Sequence, residues 1–219
     1  MLELFAKGGW AMWLLLISSV VGVATIFERL IVLNLVSKKQ KGFISDFVNS
    51  FSEEDKGKKA LEVCRSYNTA LSRIVASLIN QNNKYSDLEQ EEKKFALEDA
   101  VNLSAIRELE TLDKGLDVLA AVSTIAPLIG FLGTVVGMMM AFDSIAKAAT
   151  VDPVLVASGI QVALITTATG LLIAFPVSAF HVYFTSRINE ITKDVEYISV
   201  KVIDFLLGRA RANELQKAI

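Results

Sequence analysis

The chain has 219 residues, 53% of them apolar, and a formal charge of −2 from 22 Lys and Arg against 24 Asp and Glu. This composition is too apolar for a disordered chain and too close to neutral for a nucleic-acid binder. A single cysteine, Cys64, and a single histidine, His181, exclude an intramolecular disulfide framework, a cysteine-based zinc site and a histidine metal cluster. We therefore expect no metal site, no cofactor and no catalytic residues, and the sequence does not favour an enzyme.

Three long runs of the sequence contain no Asp, Glu, Lys or Arg. They are Gly8 to Phe27, Val118 to Phe142 and Val154 to Ser186. Each is at least as long as the roughly 20 residues that cross a bilayer core as a helix. The pattern predicts an all-α, polytopic membrane protein with three transmembrane helices. The first run has no small-residue cleavage site, so we expect it to be retained rather than removed as a signal peptide.

The distribution of cations predicts the orientation of the spans. Lysines follow the first span, and an arginine and a lysine follow the third: Lys38, Lys39, Lys41, Arg187 and Lys193. Only Lys7 precedes the first span, and only Lys147 lies in the turn after the second. Cations near span ends favour the cytoplasmic side. We therefore expect a periplasmic amino terminus, with the large loop and the carboxyl tail in the cytoplasm and membrane lipid around the spans.

These observations divide the chain into four segments. Residues 1–35 form the periplasmic amino terminus and span one, and residues 36–115 form a cytoplasmic loop with helical periodicity. Residues 116–186 hold spans two and three, and residues 187–219 form a helical cytoplasmic tail. The third uncharged run would extend roughly 50 Å as a helix, against a hydrocarbon core of roughly 30 Å. We expect this helix to continue into the cytoplasm.

Small and hydroxylated residues recur on one face of spans two and three. Span two carries Ser123, Pro127, Gly130, Thr134, Gly137 and Ala141, and span three carries Ala163, Thr167, Gly170, Ala174 and Ser178. One interpretation is helix packing, because membrane helices approach through small residues and Gly133 with Gly137 forms such a pair. The other interpretation is a polar seam that faces something other than lipid. The stripes alone leave both open.

Two threonines near the middle of these spans favour the polar seam. Thr134 and Thr167 each place a hydroxyl where it needs a partner or water, and span three adds Gln161, Thr166 and Thr169 close to Thr167. The seam contains no carboxylate, lysine or arginine, although a proton relay at membrane depth ordinarily uses a titrating group. A partner would have to supply that group.

A charged pair ends the first uncharged run. Glu28 and Arg29 lie where span one is expected to meet the cytoplasm. We interpret them as interfacial residues whose charged groups reach lipid headgroups or water, and a functional ion pair is the alternative.

Three motifs carry a resemblance to a known family. The stretch APLIGFLGTVVGMMMAF occupies residues 126–142, GIQVALITTATGLLIAFP occupies 159–176, and FERL occupies 27–30. Together they resemble the MotA/TolQ/ExbB proton-channel family in its ExbB/TolQ branch, and ExbB most of all. The chain length and the three-span topology are also similar to that branch.

The resemblance implies a fold and a mechanism. It implies a homopentameric ring in the bacterial inner membrane, with spans two and three lining a pore that holds a dimer of an ExbD- or TolR-like single-span protein. That partner carries a membrane aspartate, and Thr134 and Thr167 match the pore threonines placed near it. The ring would use the proton motive force to energise TonB-dependent transport across the outer membrane, through a TonB- or TolA-like protein. Further pore-lining candidates, polar or small, are Ser123, Gly130, Gly137, Gln161, Ala163, Gly170 and Ser178.

Other functions stay open at the level of sequence. A TolQ-like subunit of the Tol-Pal envelope-maintenance system and a gliding-type motor share the same motifs. A membrane scaffold without ion conduction would need only the packing stripes. The chain also departs from many ExbB and TolQ sequences, which have a glutamate where it has Val162. This departure makes it less able to titrate within the pore by itself.

Overall fold

A computed structural model describes residues 8–50, 58–85, 88–147 and 153–209. The described residues form six helices and no strand, which confirms the all-α prediction for this part of the chain. The helices are α1 (Ala11–Ser50), α2 (Lys58–Ser66), α3 (Ala70–Lys84), α4 (Gln90–Asp113), α5 (Leu116–Lys147) and α6 (Pro153–Leu206). Parts of three predicted segments lie outside the described residues: 1–7 of the amino terminus, 148–152 of the turn that follows span two, and 210–219 of the tail.

Three of these helices are long and apolar enough to cross a membrane. They are Ala11–Ser50, Leu116–Lys147 and, within α6, Val156–Leu206. Each contains all or nearly all of one of the three uncharged runs, so the three predicted spans are confirmed as candidate membrane helices. The 54 residues of α6 correspond to about 80 Å of helix, more than twice the thickness of a hydrocarbon core. The prediction of one long third helix is confirmed.

The chain divides into two compact units. Unit 1 comprises Met1–Leu30 and Gly115–Thr185, and unit 2 comprises Ile31–Lys114 and Ser186–Ile219. Inside unit 1, Leu15, Leu119 and Ala126 are fully buried. Its outer surface is apolar as well, with Leu172 73% exposed and Phe175 80% exposed. A continuous apolar exterior of this kind suits a surface that lipid or another protein covers.

Unit 2 has its own hydrophobic core, built from α1, α2, α3, α4 and α6. The largest fully buried side chains include Phe43, Phe47, Leu71, Ile74, Leu78 and Leu97, and α6 adds Val195, Ile198 and Val202. The core residues of α3, Leu71, Ile74 and Leu78, are three and four residues apart, the spacing that places side chains on one helical face. The first turn of α3 is capped, because the Thr69 hydroxyl accepts from the Ser72 amide at 3.1 Å and the Ser72 hydroxyl accepts from the Thr69 amide at 3.0 Å.

Two side-chain hydrogen bonds connect α1 to other parts of unit 2. The Tyr67 hydroxyl donates to the Asp46 carboxylate at 2.5 Å, and this bond raises the pKa of Tyr67 above its ordinary value. Gln40 is only 2% exposed, and its side-chain amide donates to the Asp194 carboxylate at 3.3 Å. Both contacts join residues far apart in the sequence, and they hold the carboxyl-terminal part of α1 against its neighbours in unit 2.

Candidate functional site

Small residues bring α5 and α6 into backbone contact inside unit 1. Gly130 and Gly137 of α5 and Gly170 of α6 are all buried. A Cβ added to Gly130 would lie 2.8 Å from the Thr166 carbonyl oxygen, and one added to Gly170 would lie 2.6 Å from the Ala126 carbonyl oxygen. Real Cβ atoms essentially never approach another heavy atom this closely. The glycines therefore set the distance between the two helices.

The close approach creates a hydrogen bond between the helices. The Thr167 hydroxyl donates to the Gly130 carbonyl oxygen at 3.1 Å, across a sequence separation of 37 residues. The Thr167 backbone packs directly against Gly130, because a Cβ added at Gly130 would lie only 3.1 Å from the Thr167 Cα. Thr167 is half-buried, and the bond fixes its hydroxyl hydrogen and leaves lone pairs on its oxygen as acceptors.

Neighbouring threonines of α6 direct their hydroxyls back to their own helix. Thr166 is fully buried, donates to the carbonyl oxygens of Val162 and Ala163 at 3.1 and 3.0 Å, and packs against Gly133. Thr169 is half-buried and donates to the Ile165 carbonyl at 2.8 Å. Both are satisfied locally, which is the ordinary arrangement for a threonine within a helix. Thr167 is thus the threonine of this stretch that bonds to the other helix.

Thr134 of α5 is half-buried and donates to the Phe131 carbonyl of its own helix at 2.6 Å. Among the hydrogen bonds of the described residues, none joins Thr134 to Thr167. Within one chain the two predicted threonines therefore lie on neighbouring helices without forming a pair. Their half-buried positions leave part of each side chain at the surface of unit 1.

The other predicted site residues fall into two groups. Those packed within the chain are Gly130, Gly133, Gly137, Ala163 and Gly170, and those at least partly open to the surface are Ser123, Gln161 and Ser178. Ser123 is half-buried and donates to the Ala120 carbonyl at 2.8 Å, while Gln161 and Ser178 are exposed. The packed group holds α5 against α6, and the open group is available to a partner or to water. A pore-lining role stays a prediction for both groups.

Glu28 and Arg29, the charged pair of span one, form an ion pair in the structure. The Arg29 guanidinium donates to the Glu28 carboxylate at 2.8 Å, and Arg29 is 7% exposed while the Glu28 side chain is 58% exposed. Arg29 packs against Gly115, where a Cβ would lie 3.0 Å from Nε. Gly115 has φ +86° immediately before α5, a conformation that favours glycine. Sequence reasoning missed this contact, and the glycine directly before the start of a predicted span was the available signal.

The chemistry available at this site is hydrogen bonding without titration by a carboxylate. The uncharged runs that make up most of α5 and the first part of α6 contain no Asp, Glu, Lys or Arg. Val162, on the same helix as Thr167, is half-buried. Among the described residues, no group of three or more His, Cys, Asp or Glu side chains is arranged to hold a metal ion. The site can donate to and accept from a visiting group, but it does not hold a charge of its own.

Comparison with known proteins identifies the family. Residues 66–197, more than half of the chain, match the profile of the MotA/TolQ/ExbB proton channel family. The chain belongs to this family. The match includes all of α5 and the part of α6 that carries Thr167, so the helix pair described above lies inside the segment that defines membership.

Individual MotA/TolQ/ExbB family members carry the names ExbB and TolQ. The chain is 29% identical over 197 residues to the biopolymer transport protein ExbB homolog of Methanothermobacter thermautotrophicus, covering 90% of this chain and 67% of that protein. It is 32% identical over 174 residues to the biopolymer transport protein exbB1 of Vibrio cholerae, covering 78% and 73%. It is 40% identical over 95 residues to the Tol-Pal system protein TolQ of Haemophilus influenzae, covering 43% and 42%. The resemblance to the ExbB/TolQ branch, and to ExbB most of all, is confirmed.

Proposed function

We propose that this chain is the ring-forming subunit of a proton-driven motor in the bacterial inner membrane, similar to ExbB. Five copies form the ring, and residues 116–186 of each copy line a central pore. The observation that carries the proposal is the Thr167 hydroxyl, which bonds across α5 and α6 and keeps its oxygen free to accept. Thr134 contributes a second half-buried hydroxyl on the adjacent helix.

The proposal requires a partner that titrates. A threonine hydroxyl can orient a proton donor or a water molecule, but its own proton is not released at neutral pH. Proton conduction at membrane depth therefore needs a carboxyl group from outside this chain, since the uncharged runs contain none. We propose a dimer of an ExbD- or TolR-like protein whose single span carries an aspartate. When protonated, that carboxyl group donates a hydrogen bond to the Thr167 hydroxyl oxygen. When ionised, it no longer donates, and a water molecule can bond to the Thr167 oxygen in its place.

The energy for mechanical work comes from the membrane potential and the proton gradient. One elementary charge that crosses 100 mV releases about 2.3 kcal/mol. Repeated passages can drive a stepwise movement of the partner within the ring without hydrolysis of a nucleotide. The glycine contacts between α5 and α6 suit such a device, because they hold the two pore helices at a fixed distance while the partner moves.

The orientation and the output belong to the same proposal. The amino terminus lies in the periplasm, and residues 36–115 and 187–219 lie in the cytoplasm, as the lysines and arginines beside the spans favour. The ExbB names of the relatives support a role in energising TonB-dependent transport across the outer membrane through a TonB-like protein. The 40% identity with a TolQ supports the alternative of a Tol-Pal envelope machine that acts through a TolA-like protein.

The decisive variant is Thr167→Val, which keeps the shape of the side chain and removes the hydroxyl. Interhelical hydrogen bonds in membranes contribute about 0.6 kcal/mol on average, so the ring should still assemble. Proton uptake into vesicles that contain the ring and its partner should fall by about tenfold or more, the effect of about 1.4 kcal/mol on the transfer step. Assembly is checked by native mass spectrometry and proton uptake by a pH-sensitive dye.

The matched control is Thr169→Val on the same helix. It removes a hydroxyl that bonds only within α6, so proton uptake should stay close to the wild-type rate. Equal rates for Thr167→Val and the wild type would exclude the hydroxyl from the pathway. Intact assembly without any proton uptake, even in the wild type with its co-purified proteins, would favour a membrane scaffold.

A further inference from the structure

Helix α4 of unit 2 has two apolar faces that point in nearly opposite directions. Leu97 and Val101 point into the core of the unit, at 0% and 9% exposure. Phe95, Leu103 and Ile106 point outward at 74%, 58% and 65% exposure. At 100° per residue these three side chains lie within about 80° of one another, so they form one outward stripe. A helix that is apolar on both sides is normally buried on both sides.

Lipid does not account for the outward stripe of α4. The helix carries charges along its whole length and is not among the helices apolar enough to cross a membrane. Exposed apolar stripes on a charged helix outside the membrane typically mark contacts with another protein. The stripe extends from Phe95 to Ile106, a separation of 11 residues, which is about 16 Å of helix.

A second surface of unit 2 has the complementary form. A groove of about 570 Å³ runs between α1 and α6. Its apolar floor includes Ile44, Val48 and Ile198, and Lys41 and Asn49 mark its two ends on α1. The separation of eight residues between those ends corresponds to about 12 Å of helix, close to the length of the outward stripe. The groove and the stripe share no residue.

The net charge beside the α4 stripe and the net charge on the α1 side of the groove are opposite in sign. The first half of α4 and its amino-terminal cap carry five acidic residues and two basic ones: Glu89, Glu91, Glu92, Glu98 and Asp99 against Lys93 and Lys94. The α1 side of the groove includes Lys41 and begins beside Lys38 and Lys39. The α6 side contributes one carboxylate, Asp194, which accepts from the Gln40 amide. Opposite potentials favour contact between these surfaces and disfavour contact of either surface with itself.

We propose that the outward stripe of α4 docks into the α1–α6 groove of a second copy of this chain. Because the two surfaces differ, each copy offers one to the neighbour on one side and the other to the neighbour on the opposite side. Such head-to-tail contacts close into rings, whereas a face that binds itself gives only two-fold pairs. The contact rests on the proposed ring and specifies which surfaces join its subunits outside the membrane-spanning segments.

Thiol cross-linking tests the contact in the full chain within its own membranes. Leu103 lies near the centre of the stripe and Ser45 lies at the centre of the groove, so the two meet whichever way the helices run. The double variant Leu103→Cys with Ser45→Cys, treated with a short bis-maleimide, should shift from monomer to a ladder of dimers and higher oligomers. Both positions are exposed in the single chain, so the substitutions disturb no core. Cys64 is 4% exposed and can stay.

The controls separate the surface from the ring. Leu103→Cys alone, Ser45→Cys alone, and Leu103→Cys with Glu62→Cys on the exposed side of α2 should stay monomeric under the same treatment. An intact ring in native mass spectrometry without the ladder would overturn the docking surface and leave the proposed function in place. A dimer from Leu103→Cys alone would overturn it in favour of a two-fold contact. A wild-type chain that forms no ring would overturn both.

Discussion

Three threonines in the middle of span three differ in which carbonyl oxygen accepts the hydrogen bond from the hydroxyl group. Thr166 and Thr169 bond within their helix, and Thr167 bonds to the Gly130 carbonyl of α5. All three belong to one stretch of sequence, in which residue type alone does not separate them. The distinction depends on the position of α5, and it makes Thr167 the residue of this stretch whose hydroxyl is held by the neighbouring helix.

The single cysteine gives a prediction at the same scale. Cys64 is buried in the core of unit 2, and burial raises the pKa of its thiol from the ordinary 9.0 to about 12. At pH 8 it should hold about a thousandfold less thiolate than an ordinary cysteine, the consequence of a three-unit difference. We expect N-ethylmaleimide to label the native protein very slowly and the SDS-unfolded protein quickly, as measured by intact mass.

The raised pKa of Cys64 also makes the stability of the folded state depend on pH. The folded state binds the thiol proton more tightly than the unfolded state, so this contribution is complete below pH 9 and is lost as the pH rises toward 12. Glu62→Cys, an exposed position on α2 outside the proposed contact, is the control and should label quickly in the native protein. Equally fast labelling of native Cys64 would show that the core of unit 2 opens readily.

At the scale of helices, the contact between α5 and α6 predicts which glycines tolerate a methyl group. Gly170→Ala places a Cβ 2.6 Å from the Ala126 carbonyl oxygen, a backbone atom that cannot move aside without shifting the helix. Overpacking of this kind costs about 1–3 kcal/mol of folding free energy. We expect the purified protein to unfold at a lower temperature in detergent.

The matched substitution is Gly42→Ala on α1. A Cβ there would meet the Tyr67 ring and hydroxyl at 3.5 Å or more, which is an ordinary contact. Alanine is favoured over glycine within a helix by about 0.5–1 kcal/mol, so this variant should be as stable as the wild type or slightly more stable. If Gly170→Ala matched Gly42→Ala, the close packing of α5 on α6 would be wrong.

The sequence was sufficient to predict the helices and the existence of a small-residue stripe, but not the centre of that stripe. The predicted row on span two ran through Ser123, Pro127 and Thr134, whereas the buried row runs through Ala126 and Gly133. Gly130, Gly137 and Ala141 belong to both rows. Two adjacent rows of small residues have nearly the same periodicity. Only the position of α6 decides which row is packed and which lies at its edge.

At the scale of the whole molecule, the length of the uncharged runs carries most of the predictive signal, while the orientation that the cations favour stays a prediction. Run length alone predicted the three candidate spans and the extended α6, because a bilayer excludes charge over a fixed thickness. Contacts that depend on distant residues carried no such signal. The pairing of Gln40 with Asp194 and the packing of Arg29 on Gly115 follow from the fold and could not be predicted from local pattern.

A ring of this chain around a partner that carries the titrating group is the central feature of the proposed motor. Native mass spectrometry of the chain extracted from its own membranes in mild detergent measures both features at once. We predict five copies of this chain together with two copies of a small single-span protein that has an aspartate in its span. A ring that repeatedly lacks such a protein, or a chain that stays monomeric under gentle extraction, would contradict the account.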